Sequence, residues 1–350
     1  MAFSSSRIFS SKNGIPALID VDCNLLHPDL LNISSQLVSG KDATADEQVK
    51  PTDILYHSST KKANIVGVLS PASTIEESIK SLDLPEECNK IQIKITAGIH
   101  PYHTEEIEPP NMEEDNEVPS PSLQQLQSLL KENSKRVACV GECGLDYSEG
   151  FPEKEFQIPW FQAQIDLAYK FNLPLFLHER LAFEDTLELL DNASTKEEHK
   201  SCHPPKIIIH CFTGTNVECK EYIARGYYIS LSGFLLKQPM GDEIRQCLVE
   251  GVIPLEKLMI ETDAPYMGFK SCRDEYLECE AEALEKLNGK KRKRLRTSIY
   301  PNVPSSLVRV LEAVTEALNE GRIQREEEVL DKEQVAIMCT KNAIDFFGFK

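Results

Sequence analysis

The chain has 350 residues, 41% hydrophobic and 27% charged, which are the proportions of a globular protein rather than of a disordered or fibrous one. Its 38 lysines and arginines stand against 56 aspartates and glutamates, a net charge of −18, so the surface as a whole does not bind polyanions and any nucleic-acid contact must be local. No apolar run approaches the roughly eighteen residues that a membrane span requires, which excludes a transmembrane protein.

Residues 1–14, MAFSSSRIFSSKNG, are Ser-rich and basic without an acid, and read as a flexible terminus; an organelle transit peptide is the alternative, and an apolar core for secretion is missing. Eleven cysteines, scattered and without a CxxC pair, suit reduced thiols in the cytoplasm or nucleus. From residue 15 onward, eight short Val- and Ile-rich runs predict buried parallel strands: Ala17–Val21, Asn64–Leu69, Gln92–Ala97, Arg136–Val140, Leu173–Leu177, Lys206–Ile209, Tyr227–Leu231 and Lys257–Ile260. Helical periodicity separates several of them. Phe156, Trp160, Ala163, Leu167 and Phe171 share one helix face, and Leu307, Val310, Leu311, Val314 and Leu318 share another. The alternation predicts an α/β chain forming a (β/α)8 TIM barrel, one domain over 15–350 with loop insertions, although an open doubly wound sheet produces the same alternation.

Three segments break the rhythm. Glu105–Glu117 holds seven acids in thirteen residues and two prolines, which predicts an acidic loop insertion over about 104–121. Ser194–Pro205 is a polar excursion before the sixth strand. Lys290–Arg296, KKRKRLR, carries six positive charges in seven residues and is expected as a basic loop.

The residues at the strand ends separate the barrel from the open sheet. Asp20, Asp22 and Asn24 lie at the end of the first strand, His100 and His103 after the third, Glu142 after the fourth, His178 after the fifth, His210 after the sixth and Asp263 after the eighth. A closed barrel brings these strand ends to one face; an open sheet spreads them along an edge at about 4.8 Å per strand. Imidazole with carboxylate suits a divalent cation, and two histidines, a glutamate and an aspartate suffice for one ion, or two if a carboxylate bridges. Such a centre activates water and steadies a leaving oxygen, which is hydrolase chemistry. Taken singly, His178 or His210 reads equally well as a hydrogen-bonded packing residue.

The segments TAGIHPYH (Thr96–His103), VGECGLDY (Val140–Tyr147), FQAQIDLAYKFNLPLFLHER (Phe161–Arg180), IIIHCFTG (Ile207–Gly214), ISLSG (Ile229–Gly233) and IETDAPY (Ile260–Tyr266) occur in that order. PNVPSSL (Pro301–Leu307) comes next, with Asn342, Ala343 and Phe346 in a closing helix. In this series the chain resembles the TatD-type metal-dependent deoxyribonucleases, members of the amidohydrolase-like group of TIM barrels. The resemblance implies that Glu142 is a carboxylate shared between metal positions, that His178 and His210 ligate one ion, and that Asp263 ligates the other or takes a proton from the attacking water. It implies a substrate-side role for His100, with His103 nearby, on the scissile phosphate or the departing 3′ oxygen. Arg180 is a candidate phosphate clamp, with a salt bridge to Glu179 or Asp185 as its structural alternative.

Many relatives carry His-x-His after the first strand, where this chain has Asp22 and Asn24. Their oxygen donors suit Mg²⁺ better than Zn²⁺, with Mn²⁺ or Zn²⁺ as the alternatives, and make that metal position the weaker one. A branch of the family also lacks the pair, and GECGLDY with Phe-Pro shortly after it is closer to that branch. Three functions are therefore weighed: a divalent-metal-dependent deoxyribonuclease acting 3′ to 5′ on DNA ends or single strands, a metal-dependent amide or ester hydrolase, and a barrel kept as an interaction module. Lys290, Lys291, Arg292 and Lys293 are candidate contacts to the DNA backbone, or form a nuclear localisation signal. The expected protein is a cytoplasmic or nuclear monomer without membrane contact.

Overall fold

In the computed structural model the described residues are 15–38, 50–110 and 119–350, so the 1–14 terminus and the centre of the acidic insertion lie outside them. The strands are β1 (Leu18–Asp20), β2 (Ile65–Ser70), β3 (Glu87–Cys88), β4 (Ile91–Ala97), β5 (Val137–Asp146), β6 (Leu175–Arg180), β7 (Ile207–Ile209), β8 (Tyr228–Leu231) and β9 (Leu258–Ile260). Eight of them run parallel in the order β1-β2-β4-β5-β6-β7-β8-β9, and β3 folds back antiparallel on β4. Asn89 and Lys90, both at positive φ (52° and 66°), make the two-residue turn of that hairpin. The eight runs expected from hydrophobicity are the eight parallel strands. The sheet closes where the chain leaves β1 and β9: the Asp263 amide donates to the Asp22 carbonyl at 2.9 Å and the Asn24 amide to the Ala264 carbonyl at 2.9 Å. The molecule is a barrel, not an open sheet.

Two cores hold it. One lies between the strands and the outer helices, where Leu307, Val310, Leu311, Val314 and Leu318 are all buried, as their spacing predicts. The other fills the barrel with Ile19, Leu69, Cys139, Phe176, Ile208 and Met259, and is plugged by Ala343, Phe346, Phe347 and Phe349 at the end of the chain. Asn342 pins the closing helix to the foot of β9, its side-chain amide donating to the Leu255 and Leu258 carbonyls at 2.8 Å each. Among the described residues no helix is long and apolar enough to cross a membrane.

The structure corrects three expectations. The fourth strand runs on past Val140 to Asp146; Gly141 and Gly144 interrupt the apolar run yet belong to the strand. The basic segment is a helix, Gly289–Thr297, rather than a loop. Lysine and arginine favour helix, and the Asn288 side chain caps it by accepting from the Lys291 amide at 2.9 Å. Phe156 is 42% exposed rather than part of the inward face. Gln157 takes the inward position at that end of the helix, accepting from the Asp146 amide at 2.8 Å and donating to the Asp146 carbonyl at 2.7 Å.

Phe176 sits inside the barrel with its ring 4.6 Å from that of His210. Replacing it by alanine is expected to lower stability by about 3–5 kcal/mol, because the void cannot collapse between strands. Urea unfolding checks this: the midpoint should fall, with the denaturant slope unchanged.

Candidate metal centre

Glu142 organises the mouth of the barrel. Between Val140 and Cys143 β5 carries one residue more than the facing stretch of β6, Leu175 to Leu177, and this bulge re-aims Glu142 at the strand ends. Only glycine serves on either side of it. Gly141 and Gly144 have φ of +148° and +138°, and a Cβ on Gly144 would lie 1.9 Å from the His178 carbonyl oxygen.

Glu142 Oε1 lies 2.8 Å from His210 Nε2, 3.2 Å from His178 Nδ1 and 3.3 Å from His100 Nε2. Around it are two trios whose donor atoms lie within ligand spacing of one another: His100, Glu142 and His178, and, deeper, Asp22, His210 and Glu261. Asp263 stands outside both trios but lines the same cavity of about 550 Å³, with Asn24, His103, Arg180 and Tyr266. Six of the expected ligands therefore converge: Glu142, His178, His210, Asp263, Asp22 and Asn24.

Sequence reasoning missed two acids. Glu261 is fully buried, and its Oε2 accepts from the Ser230 hydroxyl at 2.6 Å. Asp146 faces His178 Nε2 at 2.8 Å. Both lie in family-like segments, Glu261 immediately after an apolar strand and Asp146 near the end of VGECGLDY, but a carboxylate there reads as a strand terminus. Asp146 has a definite role. With its Nε2–H donated to Asp146, a neutral His178 would turn its Nδ1 lone pair toward Glu142, the carboxylate–histidine arrangement that would orient a metal ligand. His100 is set the other way: its Nδ1 accepts from the Tyr102 amide at 3.2 Å, so the proton is on Nε2. As held here, His100 is a donor into the cavity.

The donor set fits a divalent cation. Asn24 Oδ1, His210 Nδ1 and Glu261 Oε1 are buried without a hydrogen-bond partner; His210 Nδ1 approaches Asp22 Oδ2 at 3.2 Å, but without hydrogen-bond alignment. Buried polar atoms left this way need a ligand. The charge balance agrees. Burial by itself would raise the pKa of Glu142, but His210 and His100 outweigh it and hold the carboxyl well below its usual range. Burial likewise disfavours the imidazolium of His178 and His210, and is overcome, by Asp146 and Glu142 at His178 and chiefly by Glu142 at His210. Burial raises Asp22 well above the usual carboxylate value and Asp263 to about 7, against the pull of His210.

Of the residues assigned to substrate, His103 Nδ1 meets Glu106 at 2.8 Å, with its ring at the cavity wall. Arg180 is exposed at the same wall. Glu179 instead accepts from the Ala182 amide and the Tyr222 hydroxyl, and Asp185 from the Tyr147 hydroxyl. Arg180 therefore has no carboxylate within ion-pair reach among the described residues.

These shifts set a pH dependence. With no cation bound, the raised values of His178 and His210 contribute stability that is present below about pH 6.5 and lost as pH rises through them. Glu142 contributes stability present above about pH 4.5 and lost as pH falls through its depressed value. Asp263 disfavours the fold increasingly as pH climbs from 3.8 to about 7. EDTA-treated protein should be most stable at mildly acidic pH and lose Tm toward pH 8. Added Mg²⁺, which requires neutral imidazoles, should raise Tm most at high pH. Calorimetric scans from mildly acidic to mildly alkaline pH read both trends, and a Mg²⁺ effect that shrinks with rising pH would contradict the centre.

The profile of the TatD related DNase family matches residues 27–348. The "3'-5' ssDNA/RNA exonuclease TatD" of Shigella flexneri is 33% identical over 205 residues, covering 59% of this chain and 70% of that protein. Its Escherichia coli K12 counterpart is 32% identical over 205 residues, with the same coverage. A TatD homologue of Escherichia coli K12 superposes with a TM-score of 0.67 at 21% identity, over 95% of this chain and 98% of that one. A hydrolase TatD family protein from Entamoeba histolytica gives 0.66 at 21% identity, over 94% and 97%. These two share the closed barrel. With the family profile spanning nearly the whole chain and bringing Glu142, His178, His210 and Asp263 within its bounds, the protein belongs to the TatD related DNase family.

Proposed function

We propose that the chain is a divalent-metal-dependent deoxyribonuclease that removes nucleotides from DNA ends in the 3′ to 5′ direction. The reading rests on Glu142 Oε1 lying within 3.3 Å of three imidazoles at the mouth of a cavity large enough for a nucleotide, in a chain of a DNase family. Glu142 and His178 would hold the first cation, and Asp22, Glu261, the Asn24 carbonyl oxygen and His210, through its orphaned Nδ1, a second. The preponderance of oxygen at the deeper position favours Mg²⁺ or Mn²⁺ over Zn²⁺. When bound, the cation supplies Lewis-acid chemistry: it makes a water more acidic and draws charge off the phosphoryl oxygens.

The protein groups divide the remaining work. Asp263, raised to about 7 by burial, takes the proton of the attacking water near neutral pH. The bond from phosphorus to the 3′ oxygen breaks as the new phosphorus–oxygen bond forms; the leaving oxygen accepts a hydrogen bond from His100 Nε2–H and takes its proton from water. Arg180, free of carboxylate partners, clamps the non-bridging phosphate oxygens through its paired N–H groups. His103, which lines the same cavity, is placed to meet a neighbouring phosphate.

End-labelled single-stranded and duplex DNA with Mg²⁺ or Mn²⁺ tests the assignment. A ladder of shortened products is expected, abolished by EDTA, with kcat lowered about 100-fold or more in Glu142→Gln and in Asp263→Asn. Arg180→Ala should chiefly raise KM, by roughly tenfold for the lost charge-assisted pair. Intact DNA alongside turnover of amides or esters would assign the site to that chemistry instead. Silence on every substrate, with no cation retained in a calorimetric titration, would leave an interaction module.

A further inference from the structure

Two aromatic pairs flank the cavity, and only one of them leads to positive charge. On the β4 side Tyr102, 50% exposed, stands edge-on to Phe151 with centroids 5.4 Å apart. Past this pair the described rim is acidic, with Glu105, Glu106 and Glu108 exposed. On the β9 side Tyr266, 48% exposed, lies against the cavity with its hydroxyl 2.9 Å from His27 Nε2. Its ring centroid is 6.3 Å from that of Tyr300, which is 42% exposed and donates its hydroxyl proton to Asp29 at 2.6 Å.

Tyr300 stands just past the end of the basic helix Gly289–Thr297. Arg273, on the segment after β9, fixes that end by donating to the Leu295 and Ser298 carbonyls at 2.7 Å each. Within the helix Arg292 is half-buried and donates to the Glu285 and Leu287 carbonyls, which removes it from the surface set. Lys290, Lys291, Lys293, Arg294 and Arg296 are exposed, and none has a carboxylate within ion-pair distance among the described residues. Of the six acids of the preceding segment, Glu275 pairs with Arg309 and Glu280 with His57, whereas Glu278, Glu282 and Glu285 are exposed ahead of the cations. In a chain of net charge −18, five cations without ion-pair partners among the described residues, along about 9 Å of helix beside a nuclease mouth, call for a polyanion.

The geometry points to a track for an unpaired DNA strand, running from the cation cavity over Tyr266 and Tyr300 to the exposed cations of the helix Gly289–Thr297. Successive bases stack on the two tyrosines and the phosphates beyond them meet the helix, so the strand leaves on the β9 side, away from Glu105, Glu106 and Glu108. A duplex keeps its base faces inside its own stack and gains nothing from the tyrosines; single-stranded DNA is the occupant. The track rests on the nuclease reading above and adds the path of its substrate.

Fluorescence anisotropy of labelled oligo-dT in dimer, pentamer and 15-mer lengths, bound to the full chain in EDTA, tests the track apart from hydrolysis. Affinity of the native protein should rise with length. In the variant Lys290→Gln, Lys291→Gln, Lys293→Gln, Arg294→Gln, that rise should be largely lost and the slope of log K against log salt should flatten by about 3, since single strands give about 0.7 per neutralised phosphate. Tyr300→Ala should weaken the 15-mer roughly fivefold or more, while Tyr300→Phe, which keeps the ring and loses the bond to Asp29, should bind as the native protein does. Melting curves matching the native protein show that the variants fold. Equal length and salt dependence in native and quadruple-variant protein would overturn the track, and would assign the helix to transport if nuclear accumulation changed instead. Length-dependent binding without hydrolysis in Mg²⁺ or Mn²⁺ would uphold the track and overturn the nuclease reading; hydrolysis with length-independent binding would do the reverse.

Discussion

Carboxylates withdrawn from water where the barrel closes are the constraint on which the rest depends. Asp20, Asp22 and Glu261 are buried, and Glu142 and Asp263 open only onto the cavity. An ionised carboxylate without partners in such a place is strongly disfavoured. Glu142 is answered by imidazoles, and Asp20 by protonation, since burial outweighs its Thr262 bonds and raises it to about 8. Asp20 accepts from the Thr262 amide at 2.8 Å and the Thr262 hydroxyl at 2.6 Å, and Glu142 lies among three imidazoles. Asp22, Glu261 and Asp263 share what remains, chiefly His210. A cation at the proposed deeper position, beside the orphaned Asn24, His210 and Glu261 atoms, would supply the positive charge that balances them.

The scaffold keeps those groups apart and aimed through side-chain amides. Gln164 bonds the Ile99 backbone through both its oxygen and its nitrogen, setting the turn that carries His100. Asn302, buried in the PNVP segment, donates to the Thr262 carbonyl at 2.9 Å and so steadies the residue before Asp263. Cys211 and Asp263 sit at φ of 44° and 51°, a region unfavourable for side chains other than glycine. Strain of this kind persists only where the surroundings over-determine it, and here it adjoins two of the donors.

Much of this was legible in the sequence, for reasons that differ residue by residue. The strands were readable because parallel strands buried on both faces leave uninterrupted Val and Ile runs. Glu142, His178 and His210 were readable because each comes within two residues of the end of such a run, and six such endings make sense only at one end of a closed barrel. The extension of β5 was not, since its two glycines look like a break in any apolar pattern and only their contact with β6 explains them. Asp146 and Glu261 were hidden by the same limitation: whether a carboxylate at a strand end faces solvent, a histidine or a cation depends on the neighbouring strand. The basic run was visible as charge, while its helical form depended on one cap, Asn288, outside the charged segment.

Closure of the barrel by its first and last strands has a consequence for how the protein comes into being. The donors run from Asp22 to Asp263, so no amino-terminal fragment shorter than about three-quarters of the chain contains them all. The pocket therefore arises from long-range closure of the barrel and not from any local segment.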